Sequence, residues 1–226
     1  MNILAIECTH ETLSAAVLKE GIVTEAVSVE WKRAAESLVP LVEQVMTEGR
    51  LNRKELEYIA ISSGPGSFTS LRIGMSVAKG MAYGLGIPLV PVPTMPAMAA
   101  SLRAVEGTVL AVIPARKGEY YYGSYRSADL SSGVWHDEVQ RGSAADIATA
   151  VADIARNSQS VVVGRRLIEL LPLLVASSTE YREADFFSAR SLFFVAEKLF
   201  ARADTAGLNG VTPDYRQMFH PFGERE

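Results

Sequence analysis

A single cysteine, Cys8, is all the thiol chemistry this chain carries, so an intrachain disulfide is excluded, as are four-cysteine and cysteine–histidine zinc sites. Histidine is nearly as scarce. His10, His136 and His220 stand singly, with no H-x-x-x-H or H-E-x-x-H pair, which removes the usual basis of a catalytic zinc site, so no metal is expected. A surplus of positive charge is also missing. With 22 Lys and Arg against 26 Asp and Glu the net charge is -4, and nucleic acid gains no general attraction from it. Any RNA contact must be local or supplied by a partner. No apolar run approaches the length of a membrane span, and "MNILAIECTH" enters directly into a strand pattern with no basic region or cleavage site before it. The expected compartment is the cytoplasm, without membrane attachment.

What is present is apolar patterning. The 226 residues are 48% hydrophobic, enough for one large domain or two small ones. "NILAIEC", "LSAAVLK" and "IVTEAVSVEW" read as strands with connections too short for crossover helices, hence an antiparallel meander. Leu38, Leu41, Val42 and Val45 then recur at helical spacing, with Pro40 acceptable only in a first turn and Gly49 as a stop. "YIAIS" reads as a strand buried on both faces, a helix is expected from about Thr69 to Leu85, and "PLVPV" follows as a strand. The second half restarts in the same way. "TVLAVIPA", "EYYYGSYR" and "GVWHDEVQ" are strand-like, a helix covers about Ser143 to Ala155, "SVVVG" is a buried strand, and a last helix runs from about Ser188, its N-cap, to Arg202. Residues 93–107, rich in Pro and Ala, read as the join between two α/β lobes.

In the helix that follows "SSGPGSF", the polar residues Arg72, Ser76, Lys79 and Tyr83 form one narrow stripe, and the rest of the circumference is apolar or small. Such a helix is either sunk in its own protein or covers its lobe on one side and a second surface on the other. Gly74, Ala78, Gly80 and Gly84 sacrifice helix propensity, as a helix does where another backbone comes close. The preceding loop invites a phosphate reading, because amides in a glycine turn opening a helix can hold an anion. It lacks the Lys and spacing of a Walker loop and the G-x-G-x-x-G of a dinucleotide fold. The candidate anion or nucleotide set is therefore Glu7, Thr9, Gly64, Gly66, Ser67, Thr69 and Arg72. The competing reading is a tight strand-to-helix connection with Ser67 or Thr69 as cap. Glu7 could face a phosphate or its metal, or be a hydrogen-bonded strand end; Cys8 reads as a small buried hydrophobe. Arg116 and Lys117 sit on a charged hairpin turn that could touch RNA or merely aid solubility, Tyr120 to Tyr122 suit strand faces, and "TPDYRQMFHPFGERE" is a tail that docks on a partner or frays.

Taken together and in order, "ILAIECT", "ESLVPLVEQVM", "GPGSFTSLRIGMSVAKGMAYGLGIPLV", "ARKGEYYYGSYR" and "PDYR" resemble the bacterial TsaB (YeaZ) family of tRNA threonylcarbamoyladenosine biosynthesis, formerly labelled glycoprotease-like. The resemblance covers the N-terminal half closely and the C-terminal half loosely. It implies a two-lobed α/β fold of the actin, hexokinase and Hsp70 type (ribonuclease H-like), each lobe βββαβα, with lobes at residues 1–100 and 101–226. It also implies an accessory role: no catalytic residues of its own, pairing with a catalytic threonylcarbamoyltransferase paralogue, an ATPase subunit joining the assembly, and a homodimer when alone. The tRNA is met only through the complex, and ATP or ADP with magnesium is expected there and not on this chain by itself. The implied pairing surface is Leu38, Leu41, Val42 and Val45 on one helix and Gly74, Ala78 and Met81 on the other. Four positions depart from the family pattern. Glu7 and Pro114 stand where Asp is usual, Ala34 where His is frequent and Ser70 where Gly is usual, and the first two weaken any claim of independent catalysis. The alternatives are a small ATP-dependent phosphotransferase of the same superfold and, with less support, a metalloprotease.

Overall fold

The computed structural model describes the chain apart from residues 103–105, 116–117, 137, 157, 169, 177–178, 203–206 and 217–226. The first three strands, β1 (Asn2–Glu7), β2 (Leu13–Lys19) and β3 (Ile22–Ser28), form the antiparallel meander, and the β2–β3 turn is made by Glu20 and Gly21 with φ of 51° and 84°. Two successive left-handed residues match the strand twist in a two-residue hairpin. Helix α1 (Ala34–Glu48) crosses back, β4 (Tyr58–Gly64) joins β1 in parallel, and α2 (Phe68–Leu85) returns the chain to β5 (Leu89–Pro93), parallel to β4. The sheet order is β3-β2-β1-β4-β5.

Helix α3 (Thr94–Ala100) leads to a second sheet of β6 (Thr108–Pro114), β7 (Glu119–Arg126), β8 (Gln140–Ser143), β9 (Ser160–Gly164) and β10 (Glu180–Glu183). Interspersed are α4 (Ser127–Ser132), α5 (Ala144–Ala155), α6 (Leu171–Ala176) and α7 (Phe193–Ala201). Its order, β8-β7-β6-β9-β10, repeats that of the first sheet, with two antiparallel pairings followed by two parallel ones. The two-lobed α/β fold is therefore a structural repeat, as the restart of the strand pattern in the second half leads one to expect, although the residues themselves do not repeat.

Three apolar cores result. One lies between the first sheet and α1 and α2, one between the second sheet and α5 and α6, and the third joins the lobes around α3 and α7. The join is accordingly not a loose linker: all seven residues of α3 are buried. Other expectations need correction. Pro40 lies well inside α1, on its exposed side, and deprives the Glu36 carbonyl, on an equally exposed residue, of its helical partner. The third strand of the second lobe comes later than "GVWHDEVQ", because α4 follows β7 directly and Trp135 packs against the interlobe core. Helix α7 starts at Phe193, after a 3-10 turn (Ala189–Leu192) that carries Ser188 at its N-cap, where the Ser188 amide donates to Ser191 Oγ at 3.3 Å.

Candidate functional site

The glycine loop is shaped by two close approaches. A methyl on Gly66 would fall 2.5 Å from Thr9 Cβ, and one on Gly64, whose φ is +114°, would fall 2.3 Å from the Asp214 carbonyl oxygen. Two of the loop amides are put to internal use: Ser67 N donates to Thr9 O at 2.8 Å and Gly64 N to Thr94 Oγ1 at 3.2 Å. Ser67 occupies the N-cap position of α2 without a side-chain cap bond; its hydroxyl pairs with that of Ser70. Thr69 is exposed on the first turn. This is a connection that clamps backbone to backbone.

Glu7 and Thr9 lie behind it, both fully buried. Glu7 Oε1 accepts from the Thr9 amide at 2.7 Å and from the Thr9 hydroxyl, while Oε2 is buried without a partner. Burial pushes the Glu7 carboxyl up from the usual carboxylate range, and the nearby Arg165 guanidinium only partly opposes this. A magnesium ligand must be reachable, and with both side chains buried behind the loop these residues do not fit a magnesium–phosphate site as they stand. Among the described residues no group of three His, Cys, Asp or Glu could hold a metal ion. Cys8 is buried beneath Gly74, its thiol donating to Ser70 O at 3.2 Å, and desolvation pushes its pKa far up, so it is inert packing.

Across from Glu7 the second lobe contributes "GRR". Arg165 donates from Nε to Ala184 O at 3.0 Å and from a second nitrogen to Phe187 O, and Arg166 pairs with Glu11 of the β1–β2 turn. Beside them His10 has its Nε2 buried without a partner, and its pKa is held well below normal by burial and by the two arginines. The cleft between the lobes is thus bridged by the chain's own side chains. Sequence reasoning passed over Arg165 and Arg166, although Gly164 marks the same point of the repeat as Gly64.

The α1–α2 face differs from expectation in an informative way. Leu38, Leu41, Val42, Val45, Gly74 and Ala78 are buried, Val42 at the edge of the groove between the two helices, and Met81 is partly exposed. The accessible surface is the adjacent row. A groove of about 900 Å³ runs between the helices over Val39, Met46, Met81 and Leu85, and Gly80 and Gly84 open onto it with nothing within 4 Å of where a Cβ would stand. Arg72, Ser76 and Tyr83 form the exposed ridge of α2, Tyr83 being 81% accessible. Along α1 the exposed residues include Glu36, Glu43 and Glu48.

Arg72 has a second role that the sequence did not indicate. Its Nε donates to Tyr215 Oη at 3.1 Å and its guanidinium lies 3.9 Å from the Phe68 ring centre. Together with Asp214 N bonding Ser63 O at 2.7 Å and with Val211 buried in the first core, this docks residues 211–216 on the N-terminal lobe. The tail as far as Arg216 therefore neither frays nor waits for a partner. Arg116, Lys117 and His220 lie outside the described residues.

Comparison with known proteins agrees with this picture. The family described as TsaD, tRNA N6-adenosine threonylcarbamoyltransferase, matches residues 9–141, more than half of the chain. The chain belongs to this family. Within it the chain is similar to TsaB (YeaZ) proteins and, over 110 residues at 36% identity, to the tRNA N6-adenosine threonylcarbamoyltransferase of Chlorobium limicola, 41% of this chain and 30% of that protein. The Escherichia coli tRNA threonylcarbamoyladenosine biosynthesis protein TsaB is 34% identical over 140 residues, which are 61% of this chain and 60% of that protein. Its Bacillus subtilis namesake is 32% identical over 127 residues, 56% of each chain. The match thus spans well under two thirds of these curated relatives. The structure of YeaZ from Pseudomonas aeruginosa, 22% identical, superposes with a TM-score of 0.76 over 95% of this chain and 99% of that one, and so shares the fold. No helix among the described residues is long and apolar enough to cross a membrane.

Proposed function

We propose that this chain is the non-catalytic partner of a threonylcarbamoyltransferase paralogue, acting in threonylcarbamoylation of the adenosine next to the anticodon in tRNA. The observation that carries the reading is the α1–α2 face, an apolar groove between two long helices with open backbone at Gly80 and Gly84, on a chain of this family. Small residues along a helix let a second helix approach closely, and a polar rim around an apolar floor is the anatomy of a protein interface. The same face serves a homodimer when the paralogue is absent. An ATPase subunit joins the assembly, tRNA is met through it, and nucleotide and magnesium belong to the complex and not to the bridged cleft of this chain.

The experiment is to co-purify the chain with the host's transferase paralogue and assay tRNA modification with and without it. Full modification without the chain would overturn the accessory role, and robust ATP turnover by the purified chain alone would favour the phosphotransferase reading. Gly80→Arg is the matching surface variant, since an added side chain there meets only open groove. It is expected to keep its melting temperature and lose association; unaltered association would remove the α1–α2 face from the reading.

A further inference from the structure

Of the four edges of the two sheets, three are closed to further pairing. β5 carries Pro91 and Pro93, while β8 and β10 are four residues long and read QRGS and EYRE. Prolines, shortness and charge are the devices by which sheets avoid recruiting another strand. β3 has none of them. It is seven residues long, without proline, and exposes Ile22 and Val27 at 72% and 55%, with Val29 at 78% just beyond its end. Its one charged residue, Glu25, is turned toward the second lobe, where Oε1 accepts from the Arg190 amide at 2.9 Å. Among the described residues no backbone hydrogen bond reaches the outer row of β3.

The edge is also flanked by a groove on each face. One, of about 900 Å³, lies between β3 and the Asp185–Phe194 stretch, over Val23, Phe186 and Phe194. The other, of about 670 Å³, lies between the end of β3 and α1, beside Val29 and Leu41. Successive side chains of a strand point to opposite faces, so a strand added to this edge would feed alternate residues into the two grooves. Each has one acidic residue in excess. Glu25, Asp185 and Glu197 line the first against Arg165 and Arg190, of which Arg190 lies against Glu25, and Glu30 and Glu36 line the second, where Arg33 is already paired with Glu36. A second copy of the chain is a poor occupant, because antiparallel self-pairing centred on β3 sets Glu25 opposite its twin, and like charges directly opposite oppose pairing.

We infer that the β3 edge is a docking site for an extended segment of another protein, one that alternates apolar and basic residues and adds as a sixth strand. The site shares no lining residue with the α1–α2 groove, so it stands or falls separately from the proposed function. The test titrates the full chain against a fluorescein-labelled peptide of alternating valine and lysine, read by polarisation. Two further peptides carry N-methyl groups on every valine or on every lysine. A strand offers alternate N–H groups to its two sides, so one of these is expected to lose binding by about tenfold or more and the other to keep it. The double variant Ile22→Lys and Val27→Lys, checked by circular dichroism, is expected to lose the parent peptide by a similar factor, while Gly80→Arg keeps it. No binding of the parent peptide, equal binding of both methylated peptides as plain charge attraction would give, or undiminished binding by the folded double variant would each overturn the inference.

Discussion

Where β4 ends, the chain turns into α2 through Gly64 and Gly66; at the equivalent point of the second lobe, where β9 ends, the turn is Gly164, Arg165 and Arg166. Both turns occupy the place where one topology brings strand ends to the cleft, yet they are finished in opposite ways. The first lobe uses missing side chains so that Thr9 and Asp214 can lie against its backbone, and it sends off an 18-residue helix with an exposed ridge. The second uses long charged side chains that reach back across the cleft, Arg166 to Glu11 and Arg165 to Thr12 Oγ1 at 3.5 Å, and its corresponding helix α6 has six residues. One repeat presents a surface and the other holds the molecule shut. The lesson is that the family's shared topology fixes where a site could be, while the residues at the strand ends decide whether it is a site at all.

The largest expected effect tests the tight half of this contrast. Gly66→Ala places a methyl 2.5 Å from Thr9 Cβ and 2.9 Å from its Cα, neither of which can swing aside. A loss of about 3 kcal/mol is expected in denaturant unfolding, in line with overpacking against backbone. A loss below about 1 kcal/mol would show that the loop is not clamped on the β1 end.

Next comes the arginine side. Arg165→Ala removes two bonds to carbonyl oxygens and the positive charge nearest Glu7, with an expected loss of about 2–3 kcal/mol at neutral pH. Its pH dependence follows from Glu7. That carboxyl has a folded pKa above its ordinary value, so its contribution is fully present in acid and is lost as pH rises through the folded pKa. Arg165 opposes this shift. Without it the folded pKa climbs further, so the cost of the substitution should be flat in acid and grow only as pH rises through the folded pKa of Glu7 in thermal melts. A cost independent of pH would mean that Arg165 acts through its carbonyl contacts alone.

How much of this was legible differs between the lobes for physical reasons. The narrow stripe Arg72, Ser76, Lys79 and Tyr83 marks the outer side of α2 because an amphipathic period survives in one helix, and Gly64 and Gly66 announce an unusual turn because only glycine tolerates such approaches. Leu38, Val45 and Ala78, expected on a partner surface, are buried in the lobe's own core: periodicity says which side of a helix is apolar, not whether the lobe's own sheet or a second protein covers it. β8 was placed too early because β-branched and aromatic residues around Trp135 suit a strand as well as a packed loop. Arg72 with Tyr215, 143 residues apart, leaves no local signature.

That long-range contact yields the third prediction. Arg72→Ala loses one hydrogen bond and a cation–π contact on a partly solvated surface, so about 1 kcal/mol of global stability is expected to go. The more sensitive readout is local. Amide exchange at Asp214, whose N–H bonds Ser63 O, should quicken before that of β4 does, because the tail is held at few points. Equal acceleration at both would mean that tail and sheet open as one unit.

The smallest effect has the opposite sign and probes the presenting half. A methyl at Gly80 meets nothing within 4 Å, so only helix propensity is at stake, and Gly80→Ala should raise stability by about 0.5–1 kcal/mol. Glycine at such a position costs the free chain stability without filling any need of its own packing, in contrast to Gly64 and Gly66, where removal of the side chain is what the fold requires. If the paralogue's backbone seats directly on Gly80, this same stabilising change should weaken association measurably; if association is untouched while Gly80→Arg abolishes it, the partner lies over the groove but stops short of the α2 backbone.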